Sequence, residues 1–435
     1  MKIKKAVLMS VSATTLITTF GPVISVQAQG PEVDAAASIT VDYESGQILQ
    51  GNNIDEALGI ASITKMIVEY IVFEEIEAGN MDWDSQIKIS DYAYEISQNY
   101  VLSNVPLRQG EEYSLEELYH AMAIYSANGA TIAIAEAIAG TESNFVDRMK
   151  KTIESFGIND ASLYNSTGLN NSYLSENIYP GSAENDENSM SARSIAIVAH
   201  KIIEDYPEIL ETASIPRMTF REGTDDEIEM ENWNWMLEGL LLEKPGVDGL
   251  KTGTTDFAGA TFTGTAKQED RRVITVVLDS GTDRVTRFRE TAKLMDYGFD
   301  NFRLENVSDN WKEHLEYEPL TVENGKKDKL NYEPSETLEM LIQLGDNIEE
   351  DLNYNIEWDE NIVSKKGKIE APISEGMELG QLTVSYSGNE LGYLEKNQGK
   401  ISVPLQATES VEQAGIFSQI WTKTLDFFRG IKDRF

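Results

Sequence analysis

Residues 273–278 read Val-Ile-Thr-Val-Val-Leu, and this nearly unbroken apolar run limits the folds open to the chain. Such a run forms a strand buried on both faces. A strand of that kind needs packed layers above and below it, which means helices laid over a sheet. Helical patterns lie on both sides of it in sequence. Residues 286–297 follow it, closed by Gly298-Phe299. Upstream, helices are predicted over about 62–77, 115–124, 130–139, 145–156 and 191–206. Gly79-Asn80 ends the first and Gly157 the fourth, and Ser114 with Glu117 forms a capping-box pattern before the second. The run 130–139 is apolar on nearly all sides and reads as a buried central helix.

Partner strands come from both ends of this region. Ile39-Thr40-Val41-Asp42-Tyr43 alternates, Glu44-Ser45-Gly46 turns, and Gln47-Ile48-Leu49 returns as a hairpin. Residues 259–264 read as a further strand. The segments 181–189 and 223–231 are polar and acidic and are expected to be exposed loops. The pattern predicts one α+β domain over 35–300, its sheet assembled from both chain ends. Beyond Asn301, short strands are expected at 320–322, 352–358, 381–386, 391–393 and 401–405, separated by Gly- and Asn-rich turns. They predict a small all-β domain over 301–405, followed by a linker at 406–413.

The ends of the chain carry different signals. Met1-Lys2-Ile3-Lys4-Lys5 precedes an uncharged stretch at 6–26, and Val26-Gln27-Ala28 is a small-x-small cleavage pattern. These are the three regions of a secretory signal peptide, 1–28. Residues 414–435 place Ile416, Phe417, Ile420, Trp421, Leu425, Phe428 and Ile431 at helical spacing, with Lys423, Arg429, Lys432 and Arg434 among them. No 18-residue uncharged run occurs there, so an amphipathic helix lying in a membrane interface is expected rather than a span.

Composition removes several chemistries. Zero Cys excludes thiolate nucleophiles and Cys-ligated metal centres, and His120, His200 and His314 lack metal-ligand spacing. No metal or organic cofactor is expected. The net charge of -38 repels polyanions, so nucleic acid is not an expected partner.

Three short motifs carry chemistry. Ser62-Ile63-Thr64-Lys65 lies at a predicted helix start, Ser126-Ala127-Asn128 between two helices, and Lys251-Thr252-Gly253 at a predicted strand. Ser62 and Lys65 stand one helical turn apart and share a face. A buried Lys65 has a lowered proton affinity and can take the proton of Ser62. Ser126 offers a hydroxyl that relays a proton to a leaving amine. Asn128 can donate to a substrate amide carbonyl and hold Lys65 through its own oxygen. Lys251 supplies a cation for a substrate carboxylate. Gly253 is expected to let a peptide approach the strand edge, where β-addition would hold it.

Together these motifs resemble those of penicillin-binding proteins and serine β-lactamases. The chain is most similar to the D-alanyl-D-alanine carboxypeptidases of the penicillin-binding protein 5 type. The likeness extends to the opening hairpin, to Pro106-Leu107-Arg108-Gln109-Gly110, to Asn165-Ser166-Thr167-Gly168-Leu169, and to 246–255. Arg287-Phe288 and 294–299 resemble the end of that catalytic domain. There are departures: Ser166 replaces a proline, Ile60 stands where the family often has proline, and Thr254 stands where it often has histidine.

The resemblance implies an α/β sandwich with a second, small all-β domain and a C-terminal amphipathic helix. It implies that Ser62 is acylated, that Lys65 is its base, and that Ser126 and Asn128 relay protons and hold substrate. It further implies that Lys251 and Thr252 bind the terminal carboxylate, that the Ser62 and Thr254 N–H groups form the oxyanion hole, and that Arg287 adds to the carboxylate pocket. The implied reaction removes the terminal D-alanine from peptidoglycan stem pentapeptides. β-Lactam antibiotics are the implied covalent inhibitors, and the implied location is the outer face of the cytoplasmic membrane. The alternatives are a serine β-lactamase, a D,D-endopeptidase or transpeptidase, and a non-catalytic wall-binding protein on the same fold. A β-lactamase commonly needs a Glu-bearing loop for deacylation, and the sequence presents no clear candidate.

Overall fold

In the computed structural model, which describes residues 30–395 and 399–415, the apolar run becomes the middle of a five-stranded antiparallel sheet. Strand Arg271–Leu278 pairs on one side with Ala37–Asp42, which pairs in turn with Ile48–Asn52. On its other side lie Gly259–Gln268 and then Val247–Thr255, which is left as a sheet edge. The first and last parts of the domain therefore do build one sheet. Register pins the run in place: Ile39 faces Val276 and Val41 faces Ile274. Ile274, Val276 and Leu278 join the larger core, while Val273 points into a smaller core with Phe262, Phe288 and Met295. Both faces are thus covered, as a continuous apolar strand requires.

The helices are α1 (Lys65–Glu77), α2 (Asp91–Ser97), α3 (Leu115–Tyr125), α4 (Asn128–Ala139), α5 (Glu142–Ser155), α6 (Ala192–Asp205), the short α7 (Ile209–Ala213) and α8 (Thr286–Asp300). Ser114 caps α3 with both bonds of the capping box formed. The Ala- and Ile-rich α4 is buried over its first two turns, as its composition predicts. α8 covers one sheet face and α6 packs on the other.

Several expectations need correction. Gly298 does not end α8, which runs through it to Asp300. A Cβ there would sit 3.2–3.3 Å from Thr40, Leu49 and Val273, so this glycine serves close helix–sheet packing. Ile228–Glu231, expected in a loop, pairs with Arg217–Phe220. In the other acidic loop Glu187 and Asn188 are buried.

Beyond α8, Phe302–Asn306 pairs with Glu339–Gln343, and Phe302 and Leu341 join the smaller core of the five-stranded sheet. The rest is a β-rich unit. Its main sheet has the order Tyr332–Pro334, Lys400–Ala407, Glu378–Tyr386, Leu352–Trp358, around Trp311, Leu330, Leu382 and Leu405. Residues 391–393 form no strand, because Gly392 turns the chain at φ +75° and Tyr393 makes only an isolated bridge to Gln47. The segment expected to be a linker, 406–413, belongs to the β unit: Val411 is buried and bridges Ile373, and Gln413 bridges Gly325. The expected signal segment 1–28 lies outside the described residues, as do residues 416–435 of the expected terminal helix.

Candidate active site

The Ser62 motif forms a 3-10 turn, Ala61–Thr64, running straight into α1. Ala61 holds an unusual φ of +46°, a conformation its small side chain tolerates. Gly59 keeps the preceding strand close to its neighbour, since a Cβ there would lie 2.9 Å from the Ala258 backbone. The turn leaves Ser62 half-buried, and its Oγ accepts a 2.8 Å hydrogen bond from Lys65 Nζ.

Lys65 is fully buried, and its ammonium donates to three acceptors. Besides Ser62 Oγ these are Asn128 Oδ1 at 2.9 Å and the Thr167 carbonyl at 2.8 Å. An ammonium has three hydrogens, so this set satisfies it completely. Burial and, second, the nearby Lys251 charge hold its proton affinity well below that of an ordinary lysine, with Glu69 and Glu142 acting the other way. When Lys65 is neutral, two N–H groups suffice for Asn128 and Thr167. The lone pair then faces the Ser62 hydroxyl, which is the geometry a general base needs.

The second motif sits at the junction of α3 and α4. Ser126 takes a left-handed φ of +59° and ends α3, which lets α4 start two residues later. Its Oγ is buried without a hydrogen-bond partner, a costly state that leaves the hydroxyl free for an incoming group. Asn128 spends one amide hydrogen on the Ser103 carbonyl at 2.9 Å. The amide carries a second hydrogen for other use.

The third motif lies on the edge strand Val247–Thr255, so its outer backbone groups are unpaired by the sheet. Lys251 is buried, which lowers its proton affinity; Glu69 partly restores it and Arg287 opposes that. Gly253 also has a packing reason that the sequence did not show. A Cβ there would meet Thr261 Oγ1 at 2.5 Å and the Ile60 carbonyl at 2.7 Å, so the glycine lets the strand pack on the nucleophile turn. Arg287 is buried on α8, and its Nη1 donates to the Gly253 carbonyl at 2.8 Å and Thr254 Oγ1 at 3.0 Å. It thereby ties the helix to the strand.

One cleft brings together Ser62, Ser126, Asn128, Thr252, Gly253, Thr254 and Arg287, with Leu102 and Trp233 at its walls. Lys65 lies behind Ser62, and Lys251 is near enough to depress it. A larger groove between the N-terminal hairpin and the β unit contains none of the motif residues.

Three contributors were not read from the sequence. The Thr167 carbonyl is a backbone group, invisible to side-chain motifs. Asn188 ties the site together, donating to Thr64 Oγ1 at 3.0 Å and to the Asn165 carbonyl at 2.8 Å. Glu69 lies one turn beyond Lys65, and burial raises its proton affinity against the pull of Lys251 and Lys65. A lone carboxylate in the apolar run 66–73 was the available signal for it.

Comparison with known proteins agrees with this geometry. A family model described as D-alanyl-D-alanine carboxypeptidase matches residues 24–282, and one described as penicillin-binding protein 5, C-terminal domain, matches 313–413. The D-alanyl-D-alanine carboxypeptidase DacF of Bacillus subtilis is 27% identical over 419 residues, covering 94% of this chain and 96% of the relative. Among solved structures, a peptidoglycan synthesis regulatory factor (PBP3) from Streptococcus pneumoniae is 34% identical, with a TM-score of 0.71 over 87% of this chain and all of the other. Penicillin-binding protein D2 from Listeria monocytogenes, in an ampicillin-bound form, is 29% identical with a TM-score of 0.50, covering 62% of this chain and all of the other. The chain belongs to the D-alanyl-D-alanine carboxypeptidase family of the penicillin-binding protein 5 type.

Proposed function

We propose that the chain is a serine-type D-Ala-D-Ala carboxypeptidase that trims peptidoglycan stem pentapeptides by acyl transfer through Ser62. The observation that carries this reading is the Lys65 ammonium, buried and bonded to both Ser62 Oγ and Asn128 Oδ1, with the unpartnered Ser126 hydroxyl in the same cleft.

In this mechanism Lys65 takes the Ser62 proton as Oγ attacks the carbonyl of the penultimate D-alanine. The Ser62 and Thr254 backbone N–H groups receive the developing oxyanion. Ser126 passes a proton to the departing amine, and the terminal D-alanine leaves. Water then hydrolyses the acyl-enzyme. Lys251 and Thr252 bind the terminal carboxylate, and Asn128 holds the amide. Arg287 adds positive potential and fixes Gly253 and Thr254 for that contact. The strand edge pairs with the peptide backbone. β-Lactams acylate the same serine, a reading supported by the ampicillin-bound Listeria relative.

The same reading places the protein outside the cytoplasmic membrane, exported by segment 1–28 and held at the membrane surface by segment 414–435. It assigns catalysis to 35–300.

The test is mass spectrometry of the intact protein after penicillin, together with D-alanine release from a pentapeptide. One penicilloyl adduct on Ser62, absent in Ser62→Ala, is expected. A folded protein that never carries the adduct overturns the reading.

A further inference from the structure

Glu142 begins α5 and is buried, yet it does not line the cleft. Both of its oxygens accept from protein donors. Oε1 accepts from the Ser166 N–H at 2.9 Å and from Ser166 Oγ at 2.6 Å, and Oε2 accepts from Tyr92 OH at 2.7 Å. Bonds to a carboxylate are about twice as strong as those between neutral groups. The next residue, Thr167, offers the carbonyl that holds Lys65. From the inner side Asn165 Oδ1 accepts from Thr167 N at 3.2 Å, Thr167 Oγ1 at 2.9 Å and Gly168 N at 2.7 Å. Gly168, at φ +77°, closes the turn where a Cβ would fall 1.8 Å from the Ala61 carbonyl. The turn 166–168 is thus held at Ser166 by Glu142 and at the Thr167 and Gly168 N–H groups by Asn165, behind the nucleophile turn. A proline at 166 would have no N–H to give to Glu142.

We propose that Glu142 is a positioning residue for the general base: through Ser166 it fixes the Thr167 carbonyl against which Lys65 is aligned on Ser62. The inference rests on the acyl-transfer reading of the site. Glu142 touches no reacting atom, and its occupied oxygens separate it from a deacylating base.

The charged and titratable groups around this device are few. Lys65 and Glu69 come from α1, Tyr92 from α2, Glu136 from α4 and Lys251 from the edge strand. Glu142 and Glu69 favour the ammonium form of Lys65, and Lys251 opposes it. Removing the Glu142 charge, or loosening the Thr167 carbonyl, destabilises that ammonium. Lys65 then loses its proton at lower pH.

The experiment measures the rate of penicillin labelling of Ser62 against pH for the full chain, Glu142→Gln and Ser166→Ala, with thermal melting alongside. Glu142→Gln is expected to lower the plateau rate about 10- to 100-fold, the range typical of outer-shell orienting groups. It is also expected to move the acid-side midpoint to lower pH. Ser166→Ala keeps the N–H and loses the hydroxyl, so it should move the midpoint the same way by less. A folded variant with an unmoved midpoint overturns the proposal, whether or not its plateau or melting temperature falls. If Glu142→Gln does not fold, the Ser166→Ala midpoint decides alone. Wild-type protein that takes no label at Ser62 overturns the acyl-transfer reading instead, and this inference falls with it.

Discussion

The catalytic unit and the β unit are built on opposite principles. The first buries Lys65, Glu69, Glu142, Lys251 and Arg287 within or behind one cleft. In the second, among the described residues past 301, no charged side chain is buried, and the buried polar groups are Ser308 and the hydroxyl-bearing Tyr332 and Tyr386. Its interior is Trp311, Leu330, Leu382, Val403 and similar apolar groups. Buried charges destabilise a fold unless they are paired and hydrogen-bonded. Five of them held together at one cleft are the arrangement expected of a reactive site. Among the described residues, the buried charged side chains lie in the first unit.

The sharpest break of this contrast is at the nucleophile. Ser62→Ala should lower penicillin labelling and D-alanine release by at least about 1000-fold, the scale for losing a covalent nucleophile. Circular dichroism and melting should stay near wild type, because Ser62 is half-buried and its Oγ is spent only on Lys65. Comparable residual activity in the variant would place the chemistry elsewhere.

The opposite outcome is expected in the β unit. Leu382 is fully buried at the centre of strand Glu378–Tyr386. Leu382→Ala should destabilise that unit by about 2–5 kcal/mol, as a cavity in a tight core does. Below the new melting transition, the labelling rate of Ser62 should not change. A slowed rate in the folded variant would mean that the β unit conditions the cleft.

Next comes Lys251, the proposed partner of the substrate carboxylate. Lys251→Ala should cut kcat/KM for the pentapeptide about 10- to 100-fold, the worth of one hydrogen bond to a charged group. The loss should fall mainly on KM and should shrink for a substrate amidated at its C-terminus. An equal loss on both substrates would remove Lys251 from carboxylate binding.

The contrast also explains what could be read from sequence. The strand 273–278, the hairpin and the capping box at Ser114 announced themselves because each is a local pattern with one physical solution. The three motifs were legible because their signal lies in side-chain identity and spacing. The support around them was not. The Thr167 carbonyl has no side-chain signature, and Asn188 sits in a stretch whose polarity reads as an exposed loop. Glu142 opens a helix as an acidic residue commonly does, so nothing local marks it as buried. The stretch 406–413 shows the same limit: it is polar enough to suggest a linker, but Ala407 and Val411 are buried, and bridges from Val411 to Ile373 and from Gln413 to Gly325 tie it to the β unit.

A subtler test is the pH dependence set by Glu69. It is the largest charge supporting the proton on Lys251, and it also supports that on Lys65. In the proposed mechanism Lys65 must be neutral to accept a proton, and Lys251 must be charged to bind carboxylate. Glu69→Gln removes a negative charge from both, so each gives up its proton at lower pH. The acid limb of kcat/KM and the alkaline limb should both move down in pH. At neutral pH the rate should change by less than about tenfold, since the two effects oppose each other there. Limbs that move apart, or not at all, would show that Glu69 is screened from the lysines.

The smallest effect is expected on the surface of the β unit. Lys368 Nζ meets Glu323 at 2.6 Å, but the two side chains are 45% and 51% exposed. Water screens such a pair, and ordering two long side chains costs much of the attraction. A double-mutant cycle on Lys368→Ala and Glu323→Ala should give a coupling below about 1 kcal/mol, falling with added salt. The two residues join adjacent strands, Leu320–Glu323 and Lys368–Glu370, so a network effect would be felt here if anywhere. A coupling that is large and independent of salt would mean that the acidic exterior organises the β unit electrostatically. The division between a charged interior that reacts and an apolar interior that supports would then no longer describe the two halves.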